Sequence, residues 1–146
     1  MHYQDPDVIT KLLAESRVIA IVGLSPKEDR PSHGVAAYLQ QHGYRIIPVN
    51  PAAAGTHILG EHCYATLTLA AAALQEQGTR IDLVDVFRKA DQVEPIADET
   101  IAIHARGFWL QLGIVNEAAI SKVQAAGIAA VADRCTKIDH AIRHHR

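Results

Sequence analysis

Five short, unbroken apolar runs set the fold class of this chain: "RVIAIV" (17–22), "RIIPVN" (45–50), "IDLVDV" (81–86), "FWLQL" (108–112) and "GIAAVA" (127–132). A strand with one wet face alternates apolar and polar residues, whereas a parallel strand covered on both faces reads as a continuous apolar run. The segments between the runs have helical character. Pro31-Ser32 precede Val35, Tyr38 and Leu39, which are spaced for one helix face, and Gly43 stands where that helix should end. "TLTLAAAALQEQG", "PIADETIAIHARG" and "NEAAISKVQAAG" each close on glycine, and Asn116 opens the last as an N-cap. Asp5 as cap with Pro6 at the first helical position predicts a leading helix to Glu15, and "CTKIDHAIRHHR" predicts a closing one. Strands alternating with helices through right-handed crossovers make an α/β fold: a Rossmann-like three-layer sandwich around a mostly parallel sheet of about five strands. Pro48 removes a ladder donor from the second run and predicts an edge or an irregularity there.

The 146 residues predict one domain spanning 1–146, with enough chain for one substantial core. A formal net charge of −2 gives no bulk electrostatic case for nucleic acid or for an anionic membrane surface. No apolar run approaches the roughly 20 residues that span a bilayer. The opening "MHYQDPDVITKLLAES" lacks the basic flank and apolar stretch of a secretory signal. The two cysteines, Cys63 and Cys135, show no pairing pattern, which points to reduced thiols and a cytoplasmic protein.

In open α/β sheets, ligands sit outside the carboxyl ends of the strands, near the switch in strand order. The residues expected there follow from the order of the runs. The first run is followed by Gly23-Leu24-Ser25-Pro26-Lys27, with Arg30, Ser32 and His33 just beyond; the second delivers Asn50-Pro51. The third delivers Val86-Phe87-Arg88-Lys89, the fourth Gln111-Leu112-Gly113, and the fifth Asp133-Arg134-Cys135. Lys27, Arg30, Arg88, Lys89 and Arg134 therefore share one rim, while Arg17, Arg45 and Arg80 lie at the opposite strand ends. Cations facing a helix start near Ser32 suit phosphate, because backbone amides and the positive end of the helix dipole add to side-chain hydrogen bonds. Each cation alone would read as a solvated loop charge; their shared rim points to an anionic ligand.

The kind of anion is narrower. A dinucleotide site carries an acid about 20 residues after its glycine turn to hold the ribose hydroxyls. Here the second run ends at Asn50, the turn keeps only its first glycine, and no G-x-x-x-x-G-K-[ST] loop occurs. NAD and ATP both lose ground.

"VGLSPKEDRPSHGVAAYLQQHGYRIIPVNP", "GEHCYATL", "DLVDVFR", "WLQLGIVNEAA" and "ADRCTKIDH" together resemble the small stand-alone CoA-binding domain proteins of bacteria and archaea. These are similar to the N-terminal CoA-binding domain of the succinyl-CoA synthetase alpha subunit. The resemblance runs from about Arg17 to His140. It implies that coenzyme A or an acyl-CoA lies across the carboxyl ends of the strands. The turn Ser25, Pro26, Lys27 and Glu28 would hold phosphates, with Arg30 and Ser32 near the helix start. Asn50 and Pro51 would sit next to the nucleotide, and Val86, Phe87 and Arg88 would line the cofactor. Gln111 and Gly113, in a W-x-Q-x-G motif, would lie where the pantetheine arm passes. The synthetase subunit has a lysine after the second-strand proline, where this chain has Ala52-Ala53-Ala54, so Lys27 or Arg88 must supply that charge. The synthetase passes phosphate through a histidine on a second domain, which lies outside the matching region. The resemblance therefore implies binding without ligase activity, in a protein that acts alone, as a homodimer or beside a partner enzyme. The alternative is a subunit of an acyl-CoA-dependent transferase or NAD(P)-linked enzyme whose catalytic groups come from that partner.

Other reactive residues read as structure. His140 and His144 share a helix face, with His145 beside them, but two arginines in "HAIRHHR" oppose a cation, so no metal site is expected. His57 and His62 read as loop histidines, and Cys63 as core. Cys135 follows Arg134 at a strand end, where it either packs under the loop or meets the thiol of CoA as a thiolate. Phe108 and Trp109 must point to opposite sheet faces, as must Asp82 and Asp85. Ser25 has no G-x-S-x-G around it, and no catalytic triad can be assembled.

Overall fold

The computed structural model describes residues 2–144. The apolar runs pair into one parallel five-stranded sheet, with two very short strands set apart as a hairpin. The main strands are β1 (Val18–Val22), β2 (Arg45–Val49), β5 (Leu83–Val86), β6 (Gly107–Leu110) and β7 (Ala129–Val131); β3 (His57–Ile58) and β4 (Glu61–His62) form the hairpin. The helices are α1 (Pro6–Glu15), α2 (Pro31–Gln41), α3 (Leu67–Glu76), α4 (Glu94–Ala102), α5 (Glu117–Ala125) and α6 (Thr136–His144). The sheet order β2-β1-β5-β6-β7 reverses direction between β1 and β5, which is the switch point of a doubly wound sheet.

Alternation along the strands divides the core into two halves. Val18, Ala20, Val22, Val84, Val86, Phe108 and Leu110 pack with α3, α4 and α5. Ile19, Ile21, Leu83, Trp109 and Val131 pack with α1 and α2 on the other face. Phe108 and Trp109 thus part to opposite sides, both fully buried. Burial of each such side chain contributes roughly 1.5–3 kcal/mol. Helix ends follow the local chemistry. Asp5 accepts from the Asp7 N–H at 2.9 Å and Asn116 from the Ala119 N–H at 3.0 Å, while Gly43 leaves α2 at φ +96°.

Pro48 lies in an edge strand, for a visible reason. Arg45 and Val49 direct their main-chain groups toward β1, through Arg45 N–H to Arg17 O at 2.9 Å and Gly23 N–H to Val49 O at 2.7 Å. Pro48 is out of phase with them. Its donorless nitrogen belongs to the outer side, where its carbonyl accepts from the Tyr64 N–H at 3.0 Å. The β3–β4 hairpin replaces what the sequence reads as loop around His57 and His62. Leu59 and Gly60 turn it with φ of 53° and 81°, and leucine in that conformation is no turn signal.

Gly107 is closely packed against the side chains of α1 and β5. A β-carbon there would stand 2.6 Å from Leu12 Cδ2 and 2.9 Å from Leu83 Cδ1. Gly107→Ala should cost about 1–3 kcal/mol by overpacking α1 against the sheet. A denaturation midpoint equal to wild type would refute this.

Candidate functional site

A cleft of about 680 Å³ opens at the carboxyl ends of β1, β5 and β6, over the switch point. Gly23 and Ser25 enter it from the β1 loop, Arg30 and Ser32 from the start of α2, and Phe87, Arg88 and Lys89 from the end of β5. Gln111 and Leu112 follow β6, and Cys135 precedes α6.

Gly23 brings these pieces together. At φ +89° it adopts a conformation that L side chains avoid, and a β-carbon would lie 2.3 Å from the Phe87 carbonyl oxygen and 3.1 Å from Arg88 Cδ. The glycine therefore lets the backbone leaving β5 cross close over the β1 turn and lets the Arg88 stem pass. Sequence reasoning places this glycine among the cofactor-binding residues of the turn; the structure gives it a close approach between two protein segments. Ser25 and Ser32 brace the same loop. The Ser25 N–H donates to Ser32 Oγ at 3.0 Å, and the Lys27 N–H donates to Ser25 Oγ at 3.1 Å. Both hydroxyls are thus acceptors within the protein, and among the described residues neither donates its own hydrogen.

The helix start next to them is uncapped by any side chain. Arg30 occupies the N-cap position without a capping hydrogen bond, and Pro31 follows at the first helical position. Serine, threonine, aspartate or asparagine would ordinarily satisfy an amide there. Its partial positive charge faces the same cleft as Arg30, Arg88 and Lys89. Among the described residues, none of these three cations is ion-paired.

Arg134 departs from that group. Its guanidinium is bound to Asp139, with Nε 3.0 Å from Oδ2, and Arg143 Nη1 reaches the same carboxylate at 3.1 Å. The rim thus has one fewer available cation than the order of residues suggests, because a buried acid on α6 claims it. Lys27, Pro26 and Glu28 are exposed on the loop outside the cleft lining. Asn50 ties the two edge loops, donating from Nδ2 to Leu24 O at 3.0 Å and accepting from the Ala52 N–H at 3.0 Å, with Pro51 exposed beside it. The Val86 side chain is fully buried in the core on the α3–α5 side, so it turns away from the cleft. Gly113 is exposed at φ +80°, and its N–H donates to Asp133 Oδ1 at 2.7 Å.

Sequence reasoning did not name Pro31, Val35 and Ile114 as lining residues. With the exposed Leu112 they add an apolar wall beside the cationic lip. Beneath that wall is a buried polar cluster. Gln111 Nε2 donates to Asp85 Oδ1 at 2.6 Å and to Thr136 Oγ1 at 3.0 Å, and Thr136 Oγ1 donates to Asp85 Oδ2 at 2.9 Å. Burial pushes the Asp85 carboxyl up to about 7, against the opposing effect of those two hydrogen bonds. Asp82 is separate from it and accepts from the Arg17 and Val18 N–H groups at 2.9 and 3.0 Å.

The described histidines stay out of the cleft lining. His140 is buried with Nδ1 2.9 Å from the Tyr38 hydroxyl and its ring stacked on His144 at 4.0 Å; burial, then His144 and His42, lowers its pKa. Among the described residues, no three metal-ligating side chains group together, and His145 lies outside those residues. Cys63 is fully buried, while Cys135 is buried with an edge on the cleft. No helix of the described residues is long and apolar enough to cross a membrane.

Comparison with known proteins bears on this geometry. Residues 17–141 match the family described as CoA binding domain. YneT of Bacillus subtilis (strain 168), an uncharacterised protein, is 39% identical over 134 residues, covering 92% of this chain and 93% of its own. A hypothetical protein from Pyrococcus horikoshii is 32% identical, with a TM-score of 0.82 over 93% of this chain and 89% of that one. A Rex-family repressor in complex with β-NADH is similar at a TM-score of 0.57 and 16% identity, covering 86% of this chain and 57% of that one, and shares the fold alone.

Proposed function

Because the chain belongs to the CoA binding domain family, we propose that it binds coenzyme A or an acyl-CoA across the carboxyl ends of β1, β5 and β6, without turning it over. The observation that carries this reading is the convergence of Arg30, Arg88 and Lys89, without carboxylate partners, on a cleft beside the uncapped start of α2. Three cations and a helix terminus suit a polyphosphorylated ligand. The apolar wall of Phe87, Leu112 and Ile114 suits the arm that leads from those phosphates to the thiol.

Arg30 and Arg88 neutralise phosphate, with Lys27 reaching in from the loop in place of the lysine that the alanines at 52–54 lack. Ser25 and Ser32 donate their hydroxyl hydrogens. Asn50 and Pro51 shape the nucleotide end, where an amide cannot accept from both ribose hydroxyls as a carboxylate would. Pro26, Glu28 and Gly113 shape the loops, and Val86 contributes through its backbone alone.

Calorimetric titration with CoA, acetyl-CoA, NAD and ATP tests the reading. Wild-type protein should bind CoA saturably and in preference to NAD. Arg88→Ala should weaken CoA by about tenfold or more, the cost of one charge-assisted hydrogen bond. Equal binding of NAD, or an Arg88→Ala variant that holds CoA as tightly as wild type, would defeat it.

A further inference from the structure

Gln111 is 4% exposed, yet it lines the cleft, so one small part of its side chain must face the ligand space. Its hydrogen bonds identify that part. Both hydrogens of Nε2 are committed, one to Asp85 Oδ1 at 2.6 Å and one to Thr136 Oγ1 at 3.0 Å, and both partners are fully buried. Oε1 receives no hydrogen bond from the described residues. It is also not a buried orphan, since Ser16 Oγ is the one buried side-chain polar atom without a partner among the described residues. Oε1 is therefore the atom that opens on the cleft.

The amide cannot turn over without penalty. Reversed, it would set its carbonyl oxygen against the Asp85 carboxylate in a dry site and leave that carboxylate short of a donor. Protonation of Asp85 at Oδ2 would reverse the Thr136 contact, with Oδ2–H donating to Oγ1, but it keeps Oδ1 as the acceptor for Nε2 and so preserves the orientation of the amide. Thr136 reinforces it by accepting from the second hydrogen.

We infer that Gln111 presents its side-chain oxygen to the cleft as a fixed acceptor that selects a ligand arm carrying an amide N–H, with Asp85 as the positioning residue behind it. This rests on the CoA reading and deepens it: the arm between the phosphates and the thiol of CoA holds two secondary amides, each with one N–H to donate. A ligand whose arm offers only acceptors at this point would leave two oxygens facing each other.

The test separates arm from nucleotide. CoA and adenosine 3′,5′-bisphosphate, which lacks the arm, are titrated into wild type, Gln111→Met, Asp85→Leu and Asp85→Asn. Gln111→Met and Asp85→Leu should each bind CoA about tenfold more weakly, the loss of one hydrogen bond, with the bisphosphate unchanged. Asp85→Asn should restore CoA binding, because its Oδ1 still accepts from Nε2. Unchanged CoA affinity in Gln111→Met, or an equal loss for both ligands, would overturn the inference and leave the CoA reading standing. Absence of CoA binding to wild type would overturn both. A ligand-side measurement avoids any folding defect: of the two CoA analogues methylated at one amide nitrogen, one should lose about tenfold on wild type, and full affinity of both would overturn the assignment.

Discussion

Gly23→Ala is expected to destabilise the protein by about 3–5 kcal/mol, the sum of a disfavoured backbone conformation and a steric clash. The clash is with backbone: the new β-carbon would sit 2.3 Å from the Phe87 carbonyl oxygen, where no rotamer change can relieve it. Gly43→Ala supplies the control. Gly43 has a similar φ of +96° but open space around it, so its cost should be limited to the conformational part, about 1–2 kcal/mol. Chemical denaturation of the two variants isolates the crossing of β5 over the β1 turn as the difference between them. Equal destabilisation would show that the crossing can relax and that Gly23 serves its φ alone.

Asp85→Asn should stabilise the protein above neutral pH. The folded carboxyl is raised from 3.8 to about 7, so between these values the folded state holds a proton that the unfolded state has released. Over that window the Asp85 contribution to stability falls as pH rises, and it is fully lost once the folded group ionises above pH 7. About three pH units at ~1.4 kcal/mol each put the loss at roughly 4 kcal/mol. Asparagine keeps an acceptor for Gln111 and cannot ionise. The gap between the variant and wild-type stability curves should therefore open above pH 4 in the variant's favour and level off above pH 7. A gap that is flat with pH would mean that Asp85 ionises in the folded state as it does in the unfolded chain.

The strands, most helix ends and the position of the cleft were legible in the sequence. Apolar runs report burial on both faces, caps report local backbone needs, and parallel pairing sends every carboxyl end to one rim. That rule placed Gly23, Ser25, Arg30, Ser32, Phe87, Arg88 and Gln111 together before any contact was known, and all seven line the cleft. The β3–β4 hairpin was not legible, because Leu59 at its turn carries no turn signal. Val35 read as the core face of α2 and was overlooked as a wall of the cleft, since a helix residue that packs inward and one that borders a cleft have the same periodicity.

By itself the sequence determined the layers and the cationic rim and narrowed Pro48 to an edge or an irregularity, because each depends on periodicity, on one residue's backbone chemistry or on parallel pairing. Only the tertiary structure decided which of those rim charges remain available and which way Gln111 faces. Arg134 is withdrawn by Asp139, and Gln111 is oriented by partners 26 and 25 residues away in the chain. Such pairings are set by the distance between side chains in the packed state, and spacing along the chain carries no record of that distance.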